Sequence, residues 1–448
     1  MKLKGARIKK KKEILCLTFS FDRDAALTPE ASRIPFFLMR TLACLILSTG
    51  LLGSAYGADW PRFRGPDANG VSKEKNWLGA WPAGQPKQVW KSAVGAGFSG
   101  MVVAGNRLFT TGHDGQKNKG NDSILCLDSI SGKELWRYSY PQPLADHYYE
   151  GGTSATPTLD GDRLYTVSKS GRVLCLNAST GELVWQQELA SNLGAKTPEW
   201  GFAGAPYIHK GLVIFNAGDA GVGLDKTTGR KVWLNGQGSG GYSTPVPFQI
   251  GNQQALALFS FRHVIAIEPD TGREFWRYPW KTKYDVNAAD PVISGDIMLL
   301  TSGYGTGATA IRFTDSSATE LWKHKLLRAH MQSPVVLDGR VYGLDGDGGD
   351  GDSHLKCFDI ATGRLVWESP KAETGALSAA DGKILWLTGR GELVVVKGSS
   401  DKYDEIARAQ VSGGKFWTAP VLSNGRLYIR NWKGELLCLD LRGSGNVS

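Results

Sequence analysis

Between residues 90 and 367 the chain returns to tryptophan at an almost fixed step. The anchors are Trp90, Trp136, Trp185, Trp233, Trp276, Trp322 and Trp367, separated by 46, 49, 48, 43, 46 and 45 residues. The residues before each anchor are shared as well. VLCLNASTGELVW, from Val173 to Trp185, is echoed by CLDSISGKELW, GLDKTTGRKVW, AIEPDTGREFW and CFDIATGRLVW. The chemistry of this stretch is local. A side-chain oxygen at Asn177 reaches backbone N–H groups two or three residues on and closes a turn. Gly181 supplies the positive φ of a tight hairpin. Trp185 brings a large face to bury and one N–H to satisfy. Each copy is therefore a β-hairpin that ends on a buried indole.

The copies also open alike. SATPTLDGDRLY, AGAPYIHKGLVI, AADPVISGDIML, MQSPVVLDGRVY and WTAPVLSNGRLY share a proline, a turn and an apolar pair. A full repeat thus holds four short strands. RFTDSSATELW is a worn copy with Ala318 in the place of glycine, and LVVVKGSSDKYDEIARAQV is a degenerate one with Ile406 near the expected anchor. The Trp90 strand lacks a front half, and the missing half stands at the other end of the chain, in GRLYIRNWKGELLCLDLRG. That makes eight copies. A period in the forties with four strands per unit predicts an all-β chain, an eight-bladed propeller of four-stranded antiparallel blades. The Trp90 strand is expected to be the outermost strand of the last blade, so that the two chain ends close the ring and leave no free sheet edge. Length alone, 448 residues, would allow two or three domains. The repeat overrides that, because a closed ring is one unit. Seven of the 15 tryptophans are anchors, so inter-blade packing accounts for them before any binding role does.

In chain order, residues 1–38 are read as a non-native upstream extension and residues 39–57 as a signal peptide. Met39-Arg40 is a short charged start, Leu42 to Leu52 an apolar stretch, and Ala55-Tyr56-Gly57 a small-residue exit. Export places the protein in the periplasm or outside the cell. Residues 58–86 form an arm rich in Pro and Gly, expected to lie across the propeller of residues 87–442; residues 443–448 are a tail. Arg62 and Arg64 on this arm are expected to cap the ring rather than to meet a ligand. Without residues 1–58 the chain holds 42 basic and 39 acidic residues, so the net charge falls from +9 to +3. The basic balance is therefore no sign of nucleic-acid binding. No transmembrane segment is expected after signal cleavage, and a monomer is.

Cys126, Cys175, Cys357 and Cys438 occupy one repeat position, two residues before the Asp or Asn of the turn. Equivalent positions on neighbouring blades stand about 10 Å apart, beyond the roughly 7 Å that a disulfide spans. They are read as buried free thiols. Two G-x-G-x-x-G runs, from Gly236 and from Gly346, open no helix and are loops. The acidic loop LDGDGGDGDSH, with Asp345, Asp347, Asp350 and Asp352, offers the oxygen ligands that Ca²⁺ takes, without the spacing of an EF-hand. The other candidate surface is the set of segments leading into each first strand, which converge at the channel mouth. Trp200, Tyr242, Asn287, His330, Gln332 and Trp417 are the binding candidates there, with Glu199, Asp285, Asp290 and Glu373 as the nearby carboxylates.

The LD-x-x-TG-x-x-x-W pattern of CLNASTGELVW, GLDKTTGRKVW and CFDIATGRLVW resembles the tryptophan-docking motif of the quinoprotein-like propellers built from pyrroloquinoline quinone (PQQ) repeats. The resemblance covers roughly residues 87–442, and it is specific for fold rather than for activity. By size the chain is similar to the outer-membrane protein assembly branch, a scaffold without a cofactor. The other branch, the PQQ- and calcium-dependent alcohol and sugar dehydrogenases, implies a flat quinone over the channel with calcium ligands beside it. No adjacent Cys-Cys pair of the kind many alcohol dehydrogenases place under the quinone occurs in this sequence. Three readings follow: an extracytoplasmic scaffold for a protein or ligand partner with no cofactor and no catalytic residues, a PQQ/Ca-dependent dehydrogenase, and a carbohydrate- or polymer-binding module. The scaffold reading expects that no carboxylate and cation meet at the channel mouth.

Overall fold

Asn177 Oδ1 accepts the backbone N–H groups of Ser179 and Thr180 at 2.9 and 3.0 Å, and Gly181 turns the chain at φ 77°. Asp128, Asp225 and Asp359 close the same turn in their own copies. These bonds set the hairpins of the computed structural model, which describes residues 58–81, 84–346 and 352–443. The upstream extension, the signal peptide and residues 444–448 of the tail lie outside the described residues.

The strands form eight sheets; the four strands of each blade are antiparallel and lie in sequence order, except that the outermost strand of blade 8 comes from the N-terminal end. Blade 1 comprises Val102–Ala104, Arg107–His113, Asn121–Asp128 and Glu134–Pro141. Blades 2 to 7 begin at Thr158, Tyr207, Val246, Val292, Val335 and Ala376. Blade 8 takes Val421–Ser423, Arg426–Arg430 and Glu435–Asp440 from the C-terminal end and Lys87–Ala93 as its outermost strand. The ring therefore closes as expected, and no helix occurs among the described residues.

Every outer strand carries a one-residue bulge that sets its anchor opposite one position of the third strand. Trp90, Trp136, Trp185 and Trp367 face Cys438, Cys126, Cys175 and Cys357. Trp233, Trp276 and Trp322 face Gly223, Ala266 and Ala310. The cysteine column is thus a column of small residues beneath an indole. A Cβ on Gly223 would stand 2.4 Å from Trp233 Cε2. All four cysteines are buried and free. Burial pushes the thiols of Cys126 and Cys438 up to about 12 and that of Cys175 to about 11, which keeps them protonated and unreactive.

Each indole then docks on the next blade. Trp90 Nε1 donates to Ser129 O, Trp136 to Ala178 O, Trp185 to Lys226 O, Trp233 to Pro269 O, Trp276 to Thr314 O, Trp322 to Ile360 O and Trp367 to Ser400 O. The acceptor lies in the turn of the following hairpin, and the glycine of that turn lies under the ring. A Cβ on Gly132, Gly181, Gly229, Gly272 or Gly363 would come within 2.6 Å of the preceding blade's tryptophan.

Two worn copies read differently in three dimensions. In blade 5 the outer strand starts at Ala318, which pairs with Phe313. The strands run on past the usual turn and close through Thr314 and Ser317. Ala318 therefore needs no positive φ and does not stand in the glycine's place. In blade 7 the anchor position is Ala407, opposite Val395, and Ile406 is the exposed bulge residue beside it. The small residue and the large one have exchanged sides.

The missing eighth indole is supplied by the arm. Trp77 and Trp81 are buried between blades 7 and 8 in one cluster with Leu385, Ala409 and Leu441, and Ala407 packs against it. Leu441 O, which matches the turn carbonyls that receive indole N–H groups elsewhere, accepts the backbone N–H of Leu78 at 2.7 Å. The rest of the arm crosses the ring from blade 1 to blade 8. Trp60 bridges Val103, Pro61 O accepts from Leu159 N, and Val71–Ser72 adds a parallel strand to Ala379–Ala380. Glu74 then caps Asn424 and Gly425. Blades 8 and 1 are further tied by Arg430, whose guanidinium donates to Ser99 O, Thr110 Oγ1, Thr111 O, Gly95 O and Gly97 O. Burial pulls Arg430 down to about 9, while these five acceptors hold its charge at neutral pH.

Candidate functional site

The first strand of each blade runs from the channel mouth toward the turn that the arm covers. The arm thus stoppers one end of the channel, and the segments leading into the blades surround the other. Between them lies a cavity of about 700 Å³. Phe63 and Arg64 of the arm form its floor. Its walls carry Phe98, Tyr149, Trp200, Tyr242 and Trp417, and Tyr148, Tyr284 and Tyr304 stand at its rim. Arg64 holds a left-handed φ of 61° and is followed by Gly65 at 80°. That tight reversal carries its side chain into the channel, where Nη2 donates to Asn69 O at 2.9 Å and Pro334 O at 2.7 Å.

A belt of short polar side chains joins neighbouring lead-in segments. Thr156 Oγ1 accepts from Gly100 N, Thr244 Oγ1 from Ala205 N, Asp290 Oδ1 from Thr244 N and Ser333 Oγ from Asp290 N. Thr418 Oγ1 donates to Phe98 O. Asp290 is the charged member of this belt and is 3% exposed. Burial raises its carboxyl to about 6 against the opposing pull of Arg64 and the Thr244 N–H. Arg64 is in turn lowered by burial and raised by Asp290. The two groups act on each other across the cavity without a direct ion pair. The arm that caps the ring thus also brings a cationic side chain, Arg64, to the cavity.

Five of the six sequence-derived binding candidates share this cavity: Trp200, Tyr242, His330, Gln332 and Trp417. Trp200 and Tyr242 meet edge to face at 5.9 Å, Phe98 stacks on Trp417 at 4.8 Å, and Tyr304 meets His330 at 4.6 Å. Gln332 is buried, and its Nε2 has no hydrogen-bond partner. Asn287 does not reach the cavity. It is fully buried, its amide donates to Ser260 O and Phe261 O, and its Oδ1 accepts from Ser302 Oγ. Of the carboxylates, Glu199 and Asp290 line the cavity. Asp285 pairs with Arg262 and Glu373 with Arg390.

The sequence reading named Arg64 as part of the cap and Asp290 among the nearby carboxylates, but did not bring the two to one cavity. Arg64 belongs to an arm with no repeat to place it. Asp290 was legible: the residues before the lead-in prolines are Thr156, Ala205, Thr244, Asp290, Ser333 and Ala419, and one of them is charged.

The acidic hairpin of blade 6 is described in part. Asp345 is ion-paired to Arg328 at 2.9 Å and to Lys356 at 2.7 Å, and these contacts hold its carboxyl below the ordinary value against its burial. Asp347, Asp350 and the side chain of Asp352 lie outside the described residues. Among the described residues no three His, Cys, Asp or Glu side chains come together to hold a metal ion. Asn287 is not available to a cation in the cavity, because it faces away with its amide bonded, and one oxygen of Asp290 is held by Thr244 N.

A family model described as outer membrane protein assembly factor BamB (PQQ_2) matches residues 120–259 and 260–447. The chain is 24% identical over 374 residues to outer membrane protein assembly factor BamB of Burkholderia pseudomallei, covering 78% of this chain and 86% of that protein. It is 30% identical over 123 residues to quinohemoprotein alcohol dehydrogenase ADH IIB of Pseudomonas putida, covering 25% of this chain and 17% of that one. The crystal structure of BamB from Moraxella catarrhalis superposes with a TM-score of 0.58 at 17% identity, over 81% of this chain and 99% of the other. At that identity the superposition speaks for the fold alone.

Proposed function

The chain belongs to the PQQ_2 family, described as outer membrane protein assembly factor BamB, and from that premise we propose that it is a non-enzymatic extracytoplasmic binding scaffold. The observation that carries the reading is the cavity's form. It is closed by the chain's own arm at one end, and aromatic side chains stand in solvent at the other: Tyr148 is 80% exposed and Tyr284 50%. Exposed aromatics around a concave site are what recognition uses. The curated relatives favour the same reading. The assembly factor is matched over most of its length and the dehydrogenase over 17% of its length. Export through residues 39–57 accords with it, and N-terminal sequencing of the secreted protein should find the mature end near Ala58.

The competing reading is a quinone-dependent dehydrogenase working in the same mouth. Calorimetric titration with PQQ and Ca²⁺, with dye-linked alcohol and sugar oxidation alongside, separates the two. The scaffold should show no dissociation constant below about 1 μM, a binding free energy near −8 kcal/mol, and no turnover. Tighter binding with oxidation would replace this reading.

A further inference from the structure

The charges around the open end of the channel are unevenly matched. Four carboxylates of the mouth loops are paired within the chain: Asp146 with Lys117, Glu150 with Lys415, Asp285 with Arg262 and Glu373 with Arg390. The lysines where blade 4 passes to blade 5, and blade 5 to blade 6, are not. Lys281, Lys283, Lys323 and Lys325 are exposed, and among the described residues their ammonium groups meet no carboxylate. The four belong to one patch. Lys323 Nζ stands over the ring of Trp280, the neighbour of Lys281, at 5.1 Å. Lys283 Nζ stands over Tyr284 at 5.1 Å, and Tyr284 meets Tyr304 edge to face at 4.9 Å. Just beyond Tyr304 the chain passes Lys325, where a Cβ on Gly307 would lie 2.9 Å from the lysine Cα. The cation–π contacts hold two of the ammonium groups in place and leave them open to an anion. The backbone adds an independent sign. Tyr304 holds φ 53°, and Tyr148, on the segment leading into blade 2, holds φ 63°. Bulky residues rarely adopt this left-handed region, and the rings it carries to the rim are 36% and 80% exposed. Strain kept at exposed aromatic residues points to a functional surface.

We infer that this side of the mouth docks an extended acidic segment of a partner protein, its carboxylates on the four lysines and an apolar side chain against the exposed ring of Tyr304. The inference rests on the binding-scaffold reading and names the partner's chemistry. Charge complementarity selects the partner: four cations with no counter-ion in the chain draw a run of carboxylates and repel a basic segment. Spacing selects its form. Lys281 and Lys283, like Lys323 and Lys325, stand two residues apart, and alternate residues of an extended chain repeat at roughly 7 Å on one face. Glu199 and Asp290 line the cavity itself, which keeps an acidic segment on the rim rather than inside. An anionic bilayer would also meet the lysines, but it is flat, whereas Tyr148 and Tyr304 line a concavity that a single chain can follow.

The test is fluorescence anisotropy of a labelled heptapeptide, Asp-Ser-Glu-Phe-Glu-Ser-Asp, titrated with the exported chain beside its amide counterpart, Asn-Ser-Gln-Phe-Gln-Ser-Asn. In about 50 mM salt the acidic peptide should bind with a dissociation constant of about 100 μM or tighter, and the amide peptide at least about tenfold more weakly. Raising the salt to about 500 mM should weaken the acidic peptide about tenfold. Lys281→Glu with Lys283→Glu, and Lys323→Glu with Lys325→Glu, should each weaken it at least about tenfold, and Tyr304→Ala about threefold. Lys133→Glu with Lys231→Glu makes the same change in net charge on the outer strands of blades 1 and 3, and should leave binding within about twofold. All six lysines are exposed, so the charge variants should melt with the parent. No binding of the acidic peptide up to about 1 mM overturns the proposal. So does equal weakening by the blade 1 and 3 pair, which would reduce the effect to net charge. Binding left unchanged in either mouth pair or in Tyr304→Ala would place the segment elsewhere and overturns it too. Sedimentation with phosphatidylglycerol vesicles in the absence of peptide binding would replace the acidic segment with a membrane. Each of these failures leaves the scaffold reading standing; only sub-micromolar PQQ binding with oxidation removes that.

Discussion

A glycine in the hairpin turn meets two demands at once. Gly181 stands at φ 77°, where a β-branched residue is strained. A Cβ there would also lie 2.6 Å from Trp136 Cε3. Gly181→Val should therefore destabilise by about 2–4 kcal/mol, more than backbone strain alone, and a thermal melt reads it directly. Asp290 offers a second test at this scale. Its folded carboxyl is raised to about 6 by burial, above the ordinary value near 4. The folded state thus holds the proton more tightly than the unfolded one. This contribution to stability is complete below about pH 4 and is lost as pH rises through about 6. Two pH units correspond to about 3 kcal/mol. Asp290→Asn keeps the bond to Thr244 N and removes the titration. Its stability relative to the parent should rise between pH 4 and 6 and level off above. Asp122, also raised to about 6 by burial, is present in both proteins and cancels in the difference. A flat difference across that range would show that Asp290 keeps an ordinary acidity.

At the scale of the hairpin, the bulge before each anchor decides which residues face one another. It puts the indole over a small residue of the third strand and aims the residue before it outward. Val184 and Val232 are 42% and 53% exposed for that reason. Blade 5 shows that the anchor can be kept while the turn is rebuilt. Ala318 pairs with Phe313 inside the sheet, so restoring the repeat's glycine brings no gain there. Ala318→Gly should cost about 0.5–1 kcal/mol, as for a glycine within regular structure, measured by urea unfolding. A stabilised variant would mean that the usual turn forms after all. Blade 7 changes both, closing its hairpin through a longer loop in which Lys397 N donates to Asp404 O, and the pair Ala407 and Val395 conserves bulk by exchange.

For the whole molecule, closure depends on three devices. The Trp90 strand completes blade 8. Arg430 binds backbone carbonyls of the segment leading into blade 1 and of that blade's second strand. The arm places Trp77 and Trp81 where blade 7 has no indole. Trp77→Ala should therefore cost about 3–5 kcal/mol, as truncation of a core aromatic does. The expected loss in melting temperature is comparable to that of Trp185→Ala, although Trp77 lies outside every repeat. If Trp77→Ala melts with the parent, the arm is a passive cap and blade 7 docks without it. The arm also sets the chemistry of the site, since Arg64 reaches the channel only while the segment around it is seated on blades 6 and 7.

The period, the turn residues and the chain-end complementarity were enough to read eight four-stranded blades and their closure. They are local signals: an Asx side chain, a positive-φ glycine and an indole each act within a dozen residues, and repetition makes them add. Trp200, Tyr242, His330, Gln332 and Trp417 were legible as a group for the same reason, because equivalent positions in successive blades must converge on one axis. What sequence could not settle were partners that meet across the ring. The repeat says nothing of a non-repeating arm, so the Arg64–Asp290 encounter and the substitution of Trp77 for an eighth anchor needed the folded chain. Asn287 stood at the right repeat position, yet a buried amide turns toward unpaired carbonyls, here those of Ser260 and Phe261. Which way such a side chain faces is decided by the neighbours' unmet hydrogen bonds, and those exist only once the blades are packed.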